Sequence, residues 1–243
     1  MIPDLNCDLG ENESPARCRA LMRWITSANI ACGGHAGSAE TMQRCVALAK
    51  NLGVRIGAHP GLPGRADFGR GKIRLTTAAF ELQLWQQVDA LDKIVRAGGT
   101  RLHHVKLHGG LYHLSDEDEA IARSYIKTVK RGWPGMIIYA RANGLVERLA
   151  RKYSVRVWPE AFADRAYADD GRLLSRAQPN ALITTSREVR ARVRDLMNGG
   201  MTTVSDRRLA LHCRTICVHS DTPNAPRLAH AVRETLGGVK PRA

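Results

Sequence analysis

Residues 4–11 read Asp-Leu-Asn-Cys-Asp-Leu-Gly-Glu, a strand-like run that ends in a turn. The apolar residues of this run share one face of the predicted strand, whereas Asp4, Asn6 and Asp8 share the other, because side chains alternate across a strand. Six of the seven predicted strands alternate in this way. A parallel sheet covered by helices on both faces would be apolar on both. The pattern instead predicts a barrel whose apolar side meets the helices and whose interior becomes polar toward the C-terminal ends of the strands.

Strand-like and helix-like segments alternate along the whole chain, which is typical of α/β proteins with a parallel sheet. The predicted strands are 2–8, 27–32, 54–59, 102–107, 135–139, 155–160 and 214–219. The predicted helices are 15–24, 38–52, 76–98, 117–131, 143–152, 186–199 and 223–237. The segments 60–72 and 161–185 are predicted to be long loops, which are often functional. We predict one seven-stranded β/α barrel domain over residues 1–243, with its active site at the C-terminal ends of the strands.

The charge of the chain is strongly positive, with a formal net value of +14 over 243 residues. The basic residues are scattered over almost every segment, and no helix-turn-helix, zinc finger or ribonucleoprotein motif accompanies them. The charge therefore indicates a solvated, arginine-rich surface, and nucleic-acid binding is not expected. No run of about 18 apolar residues occurs. The first residues lack the basic and apolar regions of a secretory signal, so we expect no membrane association.

Six cysteines are present, but they form no C-x-x-C pair and match no zinc module. Cys7, Cys32 and Cys217 lie in apolar runs, where a free cysteine behaves as a small hydrophobic residue. Without a secretory signal, reduced thiols and a cytoplasmic location are the default expectation. A cysteine nucleophile is disfavoured because no clear base stands beside any of the six.

Polar residues gather around the first two predicted strands. Asp4, Asp8 and Glu11 place three carboxylates, with Asn6 among them, at the first strand end, as a general base or a metal ligand would require. The second strand leads through Asn29 into a glycine-rich segment with one histidine, His35. Small residues let the backbone approach a ligand closely. The structural alternatives are solvated loop acids and a simple glycine turn.

The next strands end in cationic residues and histidines. His59 ends the third strand, and Lys106 and His108 project together from the fourth. A charged lysine can hold a phosphate or an oxyanion, and a histidine can transfer protons near neutral pH. The alternatives are that His59 is a core histidine and that Lys106 only neutralises Asp8 or Glu160.

The last two strands supply Glu160 with Arg165, and His219 with Asp221. A structural ion pair with Arg165 is the alternative explanation for any acid there. The histidines, together with Asp8, also have the side chains of a hydrolytic metal site. The residues of that possible site are His35, His59, His108, His219 and Asp8. No H-E-x-x-H motif supports it, so whether a metal binds stays open.

Seven blocks of sequence together resemble the LamB/YcsF family of 5-oxoprolinase A subunits. They are DLNCDLGE at 4–11, ANIACGGHAG at 28–37, GAHPG at 57–61, DFGR at 67–70, HVKLHGGLYH at 104–113, EAFADRAY at 160–167 and ICVHSDTPNA at 216–225. The blocks follow the family order over nearly the whole chain. The resemblance implies a seven-stranded β/α barrel related to glycoside hydrolases and deacetylases. It also implies ATP-dependent opening of 5-oxoproline (pyroglutamate) to L-glutamate, in complex with two partner subunits, B and C.

Four positions depart from the usual family pattern. Leu107 stands where the family usually has proline, Gly110 where it has alanine, Ser220 where it has glycine and Gly71 where it has arginine. The charged residues around them remain. The departures therefore concern loop shape and substrate fit more than the reaction class.

The reaction that the resemblance implies sets clear chemical requirements. A lactam is a poor electrophile, and phosphorylation of its oxygen would activate the ring carbon for attack by water. Asp8 is our first choice for the base that activates the water, and Glu160 is the second. We expect cationic side chains to bind the phosphate and the ring carboxylate, and a histidine to protonate the leaving nitrogen. The cations are Lys106, Arg70 and Arg165, and the histidines are His108 and His219.

The predicted site combines the residues indicated by the strand patterns with those implied by the family resemblance. The predicted catalytic residues are Asp8, Lys106, His108, Glu160 and Asp221, and the predicted substrate-binding residues are Asn6, Asn29, His35, His59, Arg70, Arg165 and His219. The sequence Gly69-Arg70-Gly71-Lys72 lacks the spacing and hydroxyl residue of a phosphate loop, so ATP is expected to bind with the partner subunits. Two alternatives stay open: a metal-dependent deacetylase or carbohydrate hydrolase on the same barrel, and a non-catalytic basic binding protein.

Overall fold

Seven parallel strands close into a barrel in the computed structural model, which describes residues 2–71 and 74–237. The barrel strands are β1 (Asp4–Leu9), β2 (Ser27–Ala31), β3 (Arg55–His59), β4 (His104–Lys106), β5 (Ile137–Arg141), β6 (Val157–Phe162) and β9 (Thr215–Cys217). A separate antiparallel hairpin consists of β7 (Gly200–Thr202) and β8 (Arg208–Ala210). Strand β9 closes the barrel by pairing with both β6 and β1. The predicted seven-stranded barrel is confirmed.

Helices surround the barrel between its strands. They are α1 (Pro15–Met22), α2 (Ala39–Asn51), α3 (Thr77–Ala97), α4 (Gly109–Glu117), α5 (Glu119–Gly132), α6 (Leu145–Lys152), α7 (Ser186–Met197) and α8 (Ala225–Thr235). The helix predicted over 117–131 corresponds to α5, whereas α4 was not predicted, because Gly109 and Gly110 resemble a turn. Asp118 separates the two helices and caps α5, since its carboxylate accepts hydrogen bonds from two amides of the first turn at 2.8 and 3.1 Å.

The apolar face of the barrel packs against these helices. Leu5, Cys7 and Leu9 of β1 have no solvent exposure, and Phe80 and Leu84 of α3 belong to the same core. The four-residue spacing of the α3 side chains places them on one face of the helix. Burial of a leucine or phenylalanine side chain stabilises the fold by about 1.5–3 kcal/mol. The predicted orientation of the apolar face is therefore confirmed.

The interior of the barrel is polar over its full depth, not only at the C-terminal ends of the strands as predicted. At the opposite end, Asp4 pairs with Arg55 of β3 at 2.5 Å. The same carboxylate accepts hydrogen bonds from Ser27 at 2.8 Å, Tyr139 at 3.1 Å and Thr215 at 2.7 Å. Asp4 thus connects strands from all around the barrel through one buried group.

Asp4 and Asp8 share a face of β1 but lie at opposite ends of it, because each residue advances a strand by about 3.3 Å. The predicted grouping of Asp4 with Asp8 and Glu11 at one strand end was therefore wrong. Asp4 belongs to the base of the barrel, and Asp8 and Glu11 remain together at the C-terminal end.

Gly57 leaves room inside the barrel for a neighbouring ring. A Cβ at this position would lie 2.1 Å from Nε2 of His104, which hydrogen bonds to Oδ1 of Asn29 at 2.7 Å. We expect Gly57→Ala to lower the free energy of unfolding by about 1–3 kcal/mol, measured by urea denaturation. The control is Gly200→Ala in β7, whose Cβ would meet the movable guanidinium of Arg208. Equal effects of the two variants would contradict the prediction.

The two predicted loops are irregular except at the start of the second, where residues 161 and 162 were predicted as loop but belong to β6. Residues 60–71 and 163–185 contain no helix or regular strand, and isolated bridges such as Arg165 with Leu182 brace the second loop. Lys72 lies outside the described residues. All six cysteines are free. Within the described ranges, every helix is too short or too polar to cross a bilayer.

Candidate active site

A buried cation joins two carboxylates at the centre of the site. Nζ of Lys106 on β4 lies 3.0 Å from Oδ1 of Asp8 on β1 and 3.0 Å from Oε1 of Glu160 on β6. It also lies 3.0 Å from Sγ of Cys217 on β9. With Oδ1 of Asn6 at 3.3 Å, the three ammonium hydrogens have four neighbouring acceptors. The ion pairs required by the alternative explanation for Lys106, with Asp8 and with Glu160, are both present, and Lys106 also lines the cavity described below.

The charges of this group support one another despite burial. Burial raises the pKa of Asp8, but nearby His59 and Lys106 outweigh it and hold that pKa well below its usual range. Burial likewise opposes the charge of Lys106, yet Asp8 and Glu160 raise its pKa well above the usual value. Asp8 is consequently ionised and Lys106 protonated over the physiological range.

Two asparagines hold the carboxylates in place from below. Nδ2 of Asn6 donates to Oε1 of Glu160 at 2.9 Å, and Nδ2 of Asn29 donates to Oδ1 of Asp8 at 2.7 Å. Both amides are fully buried. The hydroxyl of Tyr112 donates to the second oxygen of Glu160 at 3.0 Å. The structure thus makes Asn6 and Asn29 partners of the acids rather than part of the pocket lining.

Three histidines from separate segments converge on one carboxylate oxygen of Glu11. Oε1 of Glu11 lies 3.0 Å from Nε2 of His35, 3.3 Å from Nδ1 of His108 and 3.8 Å from Nε2 of His59. All four side chains are buried. Burial alone would raise the pKa of Glu11, but hydrogen bonds with His108 and His35 lower it. We call these four residues the Glu11–histidine cluster.

His219 stands apart from the Glu11–histidine cluster, contrary to the five-residue metal set considered from the sequence. Its ring Nδ1 and backbone amide both bond to the buried carboxylate of Asp164, at 3.0 and 2.9 Å. The Thr222 hydroxyl donates to the same carboxylate at 2.6 Å. Asp164 therefore fixes the ring of His219 at the wall of the cavity described below.

Asp164 should make the stability of the protein depend on pH. Burial raises its pKa, but His219 and the hydrogen bonds around the carboxylate lower the pKa below its usual value. Such a group stabilises the fold above about pH 4, and its contribution is lost as the pH falls through the folded-state pKa. We expect Asp164→Asn to lower the free energy of unfolding by about 2 kcal/mol at neutral pH. The difference from the wild type should shrink under acid.

Urea denaturation of both proteins across the acid range measures this difference. Asp206→Asn, an exposed aspartate outside the barrel, is the control and should behave as the wild type throughout. A gap between Asp164→Asn and the wild type that stays constant below about pH 4 would count against the assignment.

A cavity of about 870 Å³ opens above these groups. The predicted site residues that line it are Asp8, His59, Arg70, Lys106, His108, Arg165 and His219. Arg74 and Arg176 add further cations to the wall. Arg165 is buried, its Nε has no hydrogen-bond partner among the described residues, and burial followed by the charge of Arg176 lowers its pKa to about 10. The cavity therefore suits an anionic ligand.

Asp221 lies at the rim rather than beside the buried acids. Its Oδ2 pairs with Arg70 at 2.7 Å and with Arg176 at 2.9 Å, and about a third of its side chain is exposed. The structure thus places this predicted catalytic residue in an ion pair that positions the two arginines. The roles of Arg176 and Asp164 were not predicted, because nothing in the local sequence separates them from ordinary loop residues. The role of Tyr112 was missed because α4, which carries it, was not predicted.

The comparisons with known proteins agree with this architecture. The chain matches the LamB/YcsF family over residues 3–241. It belongs to that family. Among its LamB/YcsF relatives, the A subunit of 5-oxoprolinase from Syntrophobacter fumaroxidans is 40% identical over 240 residues, which are 97% of this chain and 95% of the relative.

Solved structures extend the comparison to the barrel. The lactam utilization protein from Thermus thermophilus has a TM-score of 0.88 at 37% identity, with 98% of this chain and 96% of that chain covered. A GH113 β-1,4-mannanase has a TM-score of 0.53 at 10% identity, with 96% of this chain and 99% of that chain covered. The second likeness shows the shared fold alone.

Two departures from the LamB/YcsF pattern touch each other beside the cavity. A Cβ on Gly110 would lie 2.7 Å from the carbonyl oxygen of Gly71, and the amide of Gly110 donates to the carbonyl of Gly69 at 2.9 Å. The loop that carries Arg70 therefore packs directly on the start of α4. The usual alanine at position 110 would require this loop to move.

Proposed function

We propose that this chain is the A subunit of an ATP-dependent 5-oxoprolinase, which hydrolyses 5-oxoproline to L-glutamate together with partner subunits B and C. The relatives named as the A subunit of 5-oxoprolinase share about 40% identity with it along almost their whole length. The lactam utilization protein that shares its structure supports the same substrate class.

The observation that carries the proposal is an ionised acid at the floor of a cationic cavity. Asp8 lines the cavity beneath the guanidinium groups of Arg70, Arg165 and Arg176. The carboxylate of 5-oxoproline, and a phosphate on the activated lactam, require cations of this kind. An acceptor for the proton of the attacking water must lie below them, where Asp8 is placed.

The chemistry then divides among the lining residues. Asp8 accepts the proton of the water that attacks the activated ring carbon, while the arginines hold the anionic groups of the substrate. His219 donates a proton to the nitrogen as the C–N bond of the water adduct breaks, which leaves an acyl phosphate that a second water hydrolyses to glutamate and phosphate. His108, the other predicted proton donor, has both ring nitrogens engaged, Nε2 with the carbonyl of Phe68 and Nδ1 with His59 and Glu11. Glu160 is a weaker choice for the base, because it is fully buried behind Lys106 and bonded to Asn6. In this arrangement Lys106 helps to keep Asp8 ionised and joins it to Glu160.

ATP enters the proposal through the partner subunits. The loop around Gly69 and Gly71 does not carry the phosphate-loop sequence, and the amide of Gly69 already donates within its own loop to Gly64 at 2.9 Å. We assign phosphorylation of the lactam to the assembled complex and ring opening to this chain. A cytoplasmic location, where ATP is available, fits the same proposal.

Glutamate release from 5-oxoproline tests the proposal. The assay compares this chain alone, the complex with partner subunits B and C, and the complex without ATP. We expect glutamate from the complex with ATP and from neither of the other two. No glutamate from a verified complex would reject the proposal, and a panel of other lactams and acetylated sugars would then test the hydrolase alternative.

A further inference from the structure

The Glu11–histidine cluster has a hydrogen count that its own residues cannot satisfy. Nδ1 of His59 lies 2.8 Å from the carbonyl oxygen of Lys106, and Nε2 of His108 lies 2.9 Å from that of Phe68. A carbonyl oxygen only accepts, so both of these ring nitrogens carry hydrogen. In the neutral rings, the remaining nitrogens are therefore bare. Those bare nitrogens, Nε2 of His59 and Nδ1 of His108, face each other at 3.0 Å.

A single proton would let one ring donate to the other, but it leaves a bare ring nitrogen facing a carboxylate. If the proton sits on His59, the lone pair of His108 faces the carboxylate of Glu11 at 3.3 Å. If it sits on His108, the lone pair of His59 faces the carboxylate of Asp8 at 3.4 Å. Two protons would place two imidazolium nitrogens at 3.0 Å from each other. Each arrangement leaves two like groups opposed in a buried space, which is costly at low dielectric.

A single cation bound by the ring nitrogens and the Glu11 carboxylate would remove all of these unfavourable contacts between like groups. We propose that Oε1 of Glu11, Nε2 of His35, Nε2 of His59 and Nδ1 of His108 form a binding site for a divalent transition metal of the zinc class. This site is independent of the proposed function, because it follows from the contacts of the cluster alone. Three imidazoles and a carboxylate are a donor set that zinc prefers.

The spacing of the four atoms fits such an ion. All four lie within 4.8 Å of one another. The distances from Oε1 of Glu11 to the histidine nitrogens are 3.0, 3.3 and 3.8 Å, and the two facing nitrogens are 3.0 Å apart. Ligands about 2.0–2.1 Å from a tetrahedral zinc ion are about 3.3–3.4 Å apart.

The surroundings of the cluster are also those of a metal site. Histidines that bind metals usually donate their second ring N–H to a carbonyl or a carboxylate, which fixes the ring and its tautomer. His59 and His108 both do so through the backbone. His35 stacks on His108 with ring centroids 3.6 Å apart and planes inclined by 3°, so the two rings must tilt apart for both nitrogens to point at one ion. Because His59 and His108 also line the cavity, the ion would sit at its wall.

Metal binding to the isolated chain tests the inference without ATP or partner subunits. The untagged protein is stripped with a chelator, titrated with zinc against a competing chromophoric chelator, and loaded with cobalt for its visible spectrum. We expect one zinc per chain and the intense d–d bands of a tetrahedral cobalt site. Glu11→Gln and His35→Ala should each weaken zinc binding by at least about tenfold, as loss of even an outer-shell partner commonly does.

The control is His212→Ala, an exposed histidine outside the cluster, which should bind zinc as the wild type does. Circular dichroism and unfolding midpoints establish that the variants are folded. Glu11→Gln preserves the side-chain shape, so a folded protein is available even if His35→Ala is not. Absence of stoichiometric zinc, or unchanged affinity in a folded Glu11→Gln variant, would overturn the inference. Neither result bears on glutamate release by the complex.

Discussion

Asp8→Asn in the complex of this chain with its partner subunits should lower kcat for glutamate release by about 100- to 10,000-fold. The amide keeps the shape of the side chain and can still accept a hydrogen bond from Lys106, but it cannot take up the proton of the attacking water. The KM for 5-oxoproline should change much less than kcat, because the arginines that face the substrate anions are untouched.

The variant needs a control for folding and one for charge. An unchanged circular dichroism spectrum and a cooperative unfolding transition above the assay temperature would show that the barrel is intact, because loss of one buried charge itself lowers the thermal midpoint. Asp170→Asn removes one negative charge from an exposed loop and should keep full activity. Full activity of Asp8→Asn in a verified complex would remove Asp8 as the base and make Glu160 the next residue to replace.

Lys106→Met should lower the free energy of unfolding by about 3–5 kcal/mol, because it leaves Asp8 and Glu160 as buried charges without their cation. For a chain of this size the thermal midpoint should fall by about 10 °C. The cause is electrostatic rather than steric, since methionine has nearly the length of the lysine stem.

Two further variants separate the electrostatic cause from simple loss of packing. Lys93→Met removes an exposed lysine that pairs with Asp89 on α3, and the midpoint should stay where it is. Adding Glu160→Gln to Lys106→Met removes one of the two stranded charges and should restore part of the lost stability. No recovery in the double variant would assign the loss to packing.

Most of the barrel strands could be predicted because polar and apolar side chains alternate within each of them. Alternation in β1 identified the inward face that holds Asn6 and Asp8 without knowledge of any other strand. Helix α4 was not predictable in the same way, because Gly109 and Gly110 have low helix propensity and only packing of the rest of the helix against the barrel decides its state. Local helix propensity therefore predicts poorly where tertiary contacts decide the structure.

The structure gathers most of the predicted site residues at the C-terminal ends of the strands, but several contacts among them were not predicted. Lys106 could be expected near Asp8, because both side chains lie on the inward faces of their strands near the C-terminal ends. The convergence of Glu11 with His35 could not, because it depends on the path of two loops. The contact between Asp164 and His219 could not be predicted either, since the two residues are far apart in the sequence and only the closed barrel brings them together.

The hydrogen bond from Thr215 to Asp4 spans 211 residues. Until that threonine has been synthesised, β1 lacks the neighbour that closes the barrel, and one of its edges has no partner. At about 5–20 residues per second, a ribosome takes about 10–40 s to cover that interval. The nascent chain therefore carries an unpaired strand edge, and Asp4 lacks one of its donors, throughout that interval. Closure of the barrel awaits the synthesis of β9, and until then the open edge of β1 can pair with other chains.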